Sequence, residues 1–296
     1  MQVGNISKWS EKNLKYLLIV PTVFLLIVLT VYPLIYAVIA SFHVINIRTG
    51  ENVFIGFQNF IEISKDQYFW NAFKNTIVFT GVGVTIEFTL GLILALLLSS
   101  KVVGRNIFRS LLLSPMMLPP IVVAVIFKII YIPEFGIINW FLGLFGIRGI
   151  LWEASVHTAL PSLILVDIWE WTPFMFLILL AGLQSLPLDP YEAAVVDGAS
   201  GYQIFKYITL PLLKPVIVIA LLLRIMDTLR IFDQIFIMTG GGPANTTETL
   251  SLYIYRHGFR FYNIGYATAM SFLLLIFTVI ISNFFIKFLK TEKVFE

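Results

Sequence analysis

Six stretches of this 296-residue chain are each long and apolar enough to cross a lipid bilayer: residues 16–42, 73–99, 107–131, 159–183, 214–238 and 264–289. A hydrocarbon core about 30 Å thick requires about 20 residues of helix. No water is available there to satisfy backbone N–H and C=O groups, so a spanning segment closes its own hydrogen bonds as a helix. This constraint predicts an all-α polytopic bundle of six transmembrane helices, with residues 1–296 forming one membrane domain. Lys8, Lys12 and Lys15 precede the first stretch in the manner of a secretory signal. The apolar run from Tyr16 to Phe42 nevertheless exceeds the roughly 7–15 residues of a cleaved segment, and it is read as a retained span. Pro21, Pro33 and Pro173 lie inside spans, where neighbouring groups can satisfy the carbonyls they free.

Composition excludes several classes of function. Apolar residues make up 58% of the chain and charged residues 12%, against about 25% charged in soluble domains. There is no cysteine, which removes thiol redox chemistry and cysteine-held metals. His43, His157 and His257 fall in separate regions with no zinc-binding spacing, so neither a metal site nor a catalytic triad is assigned. The net charge of +3 comes without a block of like charge, which speaks against a nucleic-acid partner and leaves membrane lipid as the surroundings.

Orientation follows from where Lys and Arg fall. With both termini in the cytoplasm, the inner segments hold Lys8, Lys12, Lys15, Lys101, Arg105, Arg109, Lys206, Lys214, Lys287, Lys290 and Lys293. The outer segments hold Arg48, Lys65, Lys74, Arg148, Arg256 and Arg260. The outer stretch 132–158, with Trp140 and Trp152 among apolar residues, is placed at the membrane interface.

The inner stretch 184–213 carries the most specific pattern. Asp189 is positioned to cap a helix beginning at Pro190, with Glu192 completing a capping box. Tyr191, Ala194 and Val195 share a face, and Gly198 is placed to end the helix. Ser200 is expected to cap a second helix, which Pro211 would stop. Two readings of this hairpin remain open: a loop packed on its own helices, or an apolar ridge covered by another protein.

Glu192-Ala193-Ala194, then Gly198 three residues on, then Ile208, Leu210 and Pro211 after nine more, match the EAA motif of ABC-importer permeases position by position. The chain resembles that family, and its sugar permeases of the maltose/trehalose type in particular. Tyr32-Pro33, the GFQNF stretch at 56–60, Asp233 to Ile237, Thr239-Gly240-Gly241-Gly242-Pro243, Thr249-Leu250, Tyr253, Tyr255, Phe259, Gly265, Ala267 and Ala269 carry the likeness along the chain. The resemblance implies a multi-pass permease of the cytoplasmic (inner) membrane that moves a sugar, such as an α-linked disaccharide, by alternating access. Its hairpin, with Glu192, Ala193, Ala194, Asp197, Gly198, Ile208, Leu210 and Pro211, would seat in a cleft of a separate ATPase. That partner would carry ATP and Mg2+, and this chain would bind no cofactor and perform no bond chemistry. Implied partners are a second permease subunit, two ATP-binding subunits and an extracytoplasmic sugar-binding protein. Gly240–Gly242 is not a phosphate loop, since no Gly-Lys-Ser/Thr follows; it reads as a tight turn.

Charges inside spans each cost about 2.5–3.5 kcal/mol to insert, so they need a partner, water or a ligand. Arg224, Asp227, Arg230 and Asp233 recur every three residues with alternating sign, either as an ion-pair ladder or as a polar lining for sugar. On a continuous helix Asp233 would lie about 13 Å beyond Arg224. Glu87 has no charged neighbour on its own helix and is expected to face an Arg of the fifth span. Asp167 and Glu170 flank Trp169 beside Trp171, a composition that suits either a sugar site or an interfacial aromatic belt. Lys128 sits near the outer end of the third span and can snorkel. The main rival is an ion-coupled secondary carrier using Glu87 or Asp167, which the hairpin motif argues against. A membrane transferase would need a His/Asp/Ser cluster, which is not present.

Overall fold

The computed structural model describes residues 14, 16, 18–46, 50–99 and 104–290. Of the orienting cations, Lys8, Lys12, Lys15, Arg48, Lys101 and Lys293 lie outside the described residues, as does the side chain of Lys290. The chain divides into two compact units. One comprises the residues up to Lys65 together with Ile254–Leu273, and the other comprises Asp66–Tyr253 and the chain from Leu274 onward.

In the first unit, α1 is an apolar helical run over Leu18–Ala40. A wide turn at Ile27–Val31 relaxes it just ahead of Pro33; a proline has no N–H to donate, and its ring crowds the preceding turn. Strands β1 (His43–Asn46) and β2 (Glu51–Phe54) pair antiparallel, a hairpin that the all-helical expectation did not include. Buried Asn59, on helix α2 (Gln58–Lys65), donates to the carbonyls of Ser41 and His43 at 2.8 and 3.0 Å.

The second unit is built on α3 (Gln67–Ser99) packed along α7 (Ala159–Gln184). A Cβ at Gly91 would meet Met175 Cβ at 2.7 Å and Phe176 N at 2.9 Å, so only glycine allows this approach. Below that contact, Ala95, Leu98, Phe176, Leu179, Leu180 and Leu213 form an apolar core. Above it, Val84, Met175 and Ala220 form a smaller one.

Among the described residues, five helices are long and apolar enough to span. The expected third span, 107–131, is interrupted. It consists of α4 (Arg105–Leu113), a 3-10 turn at Pro115–Met117 and α5 (Pro120–Ile130). Pro115, Pro119 and Pro120 remove three backbone donors within six residues, and no α-helix continues through that loss. The stretch 132–158 contains a short helix, α6 (Ile137–Leu144). The fifth span is also broken: α10 (Leu210–Thr228) ends before α11 (Asp233–Met238) begins. A turn rich in glycine leaves α11, with Gly240 at φ 57° and Gly241 at φ 90°, as the sequence suggested. α12 (Leu250–Tyr255) and α13 (Ile264–Lys290) complete the chain.

Candidate functional site

The hairpin within residues 184–213 comprises α8 (Asp189–Val196) and α9 (Gly201–Ile204). The first cap differs from the expectation. Leu188 already has helical dihedrals, so Asp189 is the first helical residue and makes no side-chain cap. Asp189 and Glu192 both lie in the first turn, where their charges suit the helix dipole. The far end forms as expected: Gly198 takes φ +77°, its N–H bonds the Val195 carbonyl, and Ala199 N–H bonds that of Ala194. This pair of bonds is a Schellman closure. Ser200 caps α9 in a reciprocal box with Gln203. Pro211 does not stop the helix. A wide π turn at Phe205–Thr209 absorbs the missing donor, and the chain runs on into α10.

Two groups hold the hairpin to its own helices: buried Ala194, and the Tyr191 hydroxyl, 3.1 Å from Thr209 Oγ1. Leu188, Val195 and Val196 face outward instead, Val196 at 87% exposure. Glu192 is exposed.

The intramembrane charges gather around one guanidinium. Arg224 donates through Nε to Glu87 Oε2 at 2.7 Å and through Nη2 to Glu87 Oε1 at 3.1 Å. Nη2 also reaches Asp167 Oδ2 at 2.5 Å, and Nη1 reaches Asp227 Oδ2 at 2.7 Å. The Trp171 ring covers the same guanidinium, with its centroid 4.8 Å away. Glu87, Asp167 and Arg224 are buried, while Asp227 is 52% exposed. α3, α7 and α10 therefore meet at a single cation, and the expectation that Glu87 faces an Arg of the fifth span holds for Arg224. Beside this cluster, Gln234 donates to Glu170 Oε2, with both side chains buried. Asp167 Oδ1, Glu170 Oε1 and Gln234 Oε1 have no hydrogen-bond partner among the described residues.

The four-residue ladder on one helix is not formed. Only its first step, Arg224 to Asp227, is an ion pair among the described residues. Arg230 lies within the break at 229–232 and Asp233 begins the helix after it, so they are not neighbours on one helical face. Arg230 Nε donates back to the Met226 carbonyl at 3.1 Å. At the break opens a hollow of about 230 Å³, lined by Trp171, Asp227, Arg230, Asp233 and Gln234 with Pro120 at its edge. Trp169 is elsewhere, its ring edge-on to Phe127 at 5.2 Å.

Some structural residues were not singled out from the sequence. Gln234, an amide in an apolar stretch next to Asp233, carried a readable signal. Asn139 did not. It bonds the carbonyls of Pro133 and Ile150, the Ile150 N–H and the Trp152 indole, and so braces the 132–158 loop around α6. Trp152 stacks on Tyr131 at 5.1 Å, while Trp140 is exposed. Asn71 and Asn75 hold the carbonyl of Asn245, fastening the loop after α11 to the N-terminal end of α3.

Residues 87–291 match the family model described as binding-protein-dependent transport system inner membrane component. The trehalose/maltose transport system permease protein MalF of Thermococcus litoralis is 38% identical, over 97% of this chain and 96% of its own length. The trehalose transport system permease protein SugA of Mycobacterium tuberculosis is 36% identical, over 95% of this chain and 90% of its own. In fold, the chain superposes with TM-score 0.85 and 24% identity on a subunit of a bacterial ABC transporter that imports the acidic polysaccharide alginate, covering 97% of this chain and 99% of that one. With two thirds of its length inside the family model and full-length relatives above 30% identity, the chain belongs to the binding-protein-dependent ABC-importer permeases, the inner-membrane components of such transport systems.

Proposed function

We propose that this permease moves a sugar across the inner membrane by alternating access, and that an α-linked disaccharide such as trehalose or maltose is its cargo. The observation that carries the reading is the hollow at the break of the fifth span. There, donors, acceptors and an aromatic face meet inside an otherwise apolar bundle. Sugar hydroxyls both donate and accept, and Asp227, Asp233 and Arg230 supply the complement. Discontinuous spans are a common way to bring polar groups to the middle of a membrane protein. The names of the trehalose and trehalose/maltose permeases similar to this chain support the same cargo.

In this reading the whole chain acts as one transmembrane domain with both termini in the cytoplasm, and residues 184–213 are the coupling loop. Leu188, Val195 and Val196 give that loop an outward apolar face for an ATP-binding subunit, with Glu192, Ala193, Asp197 and Gly198 at the contact. A second permease, two ATP-binding subunits that carry ATP and Mg2+, and an external sugar-binding protein complete the machine. Closure of the ATPase pair moves the hairpin and opens the spans outward; hydrolysis resets them.

The test is uptake of labelled trehalose and maltose into vesicles holding the reconstituted complex. Uptake should require ATP and the binding protein, survive a protonophore, and need a higher sugar concentration when Trp171 is replaced by Ala. Protonophore-sensitive uptake by this chain alone would instead identify an ion-coupled carrier.

A further inference from the structure

We infer that the hollow at the break of the fifth span accepts uncharged saccharides and turns away anionic ones, with Asp233 setting the sign. The inference rests on the proposed role of this hollow as part of the sugar path. Its wall presents two carboxylates, Asp227 and Asp233, against one guanidinium, Arg230. The charge behind the wall does not reverse that balance. Arg224 is already bonded to Glu87, Asp167 and Asp227 and is covered by Trp171. Glu170, bonded to Gln234, adds a further acid. The next cation along, Lys128, donates to the Ile237 carbonyl at 3.0 Å and faces Glu153. Among the described residues, Arg230 is the one cation in the lining, and it shares the hollow with both carboxylates.

An incoming phosphate, sulfonate or carboxylate that approached Arg230 would face Asp227 and Asp233 across the same hollow. Between low-dielectric walls such like-charge encounters are screened far less than in water. An uncharged sugar meets no such opposition. Its hydroxyls can donate to the exposed edge of Asp227 and to Asp233, accept from Arg230, and rest a ring face near Trp171. Asp233 is the group to vary, because it is exposed, has no ion-pair partner among the described residues, and is not needed to hold Arg224.

The experiment uses the complete transporter complex in nanodiscs without its binding protein. Saturation-transfer NMR is recorded with trehalose and with trehalose 6-phosphate, which differ only in the anionic group. Trehalose 6-phosphate should bind at least tenfold more weakly. Asp233→Asn should narrow the gap, and Asp233→Lys should close or reverse it, read in each variant as the ratio of the two affinities, since Asp233 also meets the sugar hydroxyls. Equal or tighter binding of trehalose 6-phosphate by the unaltered complex overturns the inference and leaves the sugar path standing. A gap unchanged in Asp233→Lys overturns the assignment to Asp233. A trehalose signal unaffected by Trp171→Ala removes the hollow from the path, and the inference falls with it.

Discussion

Arg224 and Glu87 form a two-pronged ion pair, at 2.7 and 3.1 Å, in which neither side chain reaches solvent. The two residues are 137 positions apart in the chain, so the pair joins the second span to the fifth. Asp167 adds the fourth span to the same guanidinium.

Removing that cation should prevent assembly. Arg224→Ala leaves Glu87 and Asp167 buried without a counter-charge, and breaking a buried pair costs about 3–5 kcal/mol. The expected outcome is loss of the assembled complex on size-exclusion chromatography. Arg224→Gln combined with Glu87→Gln should recover part of the yield, because the stranded charge is reduced. Equal yields for the single and double variants would show that the pair does not hold the helices together.

Asp227 should behave differently from Glu87 and Asp167. It shares the guanidinium but remains half-exposed at the hollow. Asp227→Asn should assemble, since Arg224 retains two carboxylates, and should raise the sugar concentration needed for half-maximal uptake several-fold. Failure to assemble would assign Asp227 to the structural cluster alone.

Gly198 closes α8 at φ +77°, a conformation that costs a residue with a Cβ roughly 1–2 kcal/mol, and a β-branched residue more. Open space surrounds its missing Cβ, so the penalty comes from the backbone and not from packing. Gly198→Val should leave expression near normal while separating ATP hydrolysis from sugar uptake. Gly198→Asn should be milder, because asparagine tolerates the left-handed region. Intact coupling in Gly198→Val would remove the hairpin from the coupling role.

Glu153, in the 132–158 loop, has its carboxyl pushed up to about 7 by burial, with Lys128 acting in the opposite direction. Its ordinary value is 4.5, so the folded loop favours the protonated form. That stabilisation is fully present below about 4.5 and is lost as pH rises through about 7. Hydrogen exchange in residues 131–158 should therefore quicken between pH 5 and 8 beyond its intrinsic pH dependence. Glu153→Gln should flatten the excess; a dependence unchanged in that variant would exclude Glu153 as its source.

The 132–158 loop should also depend on Asn139, which makes four hydrogen bonds through the oxygen and nitrogen of its amide. Asn139→Ala leaves the Ile150 N–H and the Trp152 indole without their acceptor, at about 1–3 kcal/mol for each group that stays buried. Proteolysis within 133–150 should accelerate while the transmembrane core stays intact. Unchanged cleavage would mean that the Tyr131–Trp152 stack holds the loop by itself.

The membrane character, the helical class and the hairpin within 184–213 were legible in the sequence because each depends on local chemistry. An apolar run long enough to cross must be helical. Gly198 can end one helix and Ser200 can cap the next using only neighbouring atoms. Local rules also had limits. Asp189 was read as a cap, yet Leu188 had already entered the helix, an offset of one residue that no side-chain preference could settle. Pro211 looked like a stop, but a π turn upstream absorbs its missing donor. Tertiary structure alone decided which charges meet. Spacing on one helix suggested Arg224, Asp227, Arg230 and Asp233 as a ladder. The break after Thr228 splits that set, and helix packing brings Glu87 and Asp167 to Arg224 from elsewhere in the chain. A buried charge must be paired wherever in the chain its partner lies, and that partner depends on which helix faces pack together, which no single segment specifies.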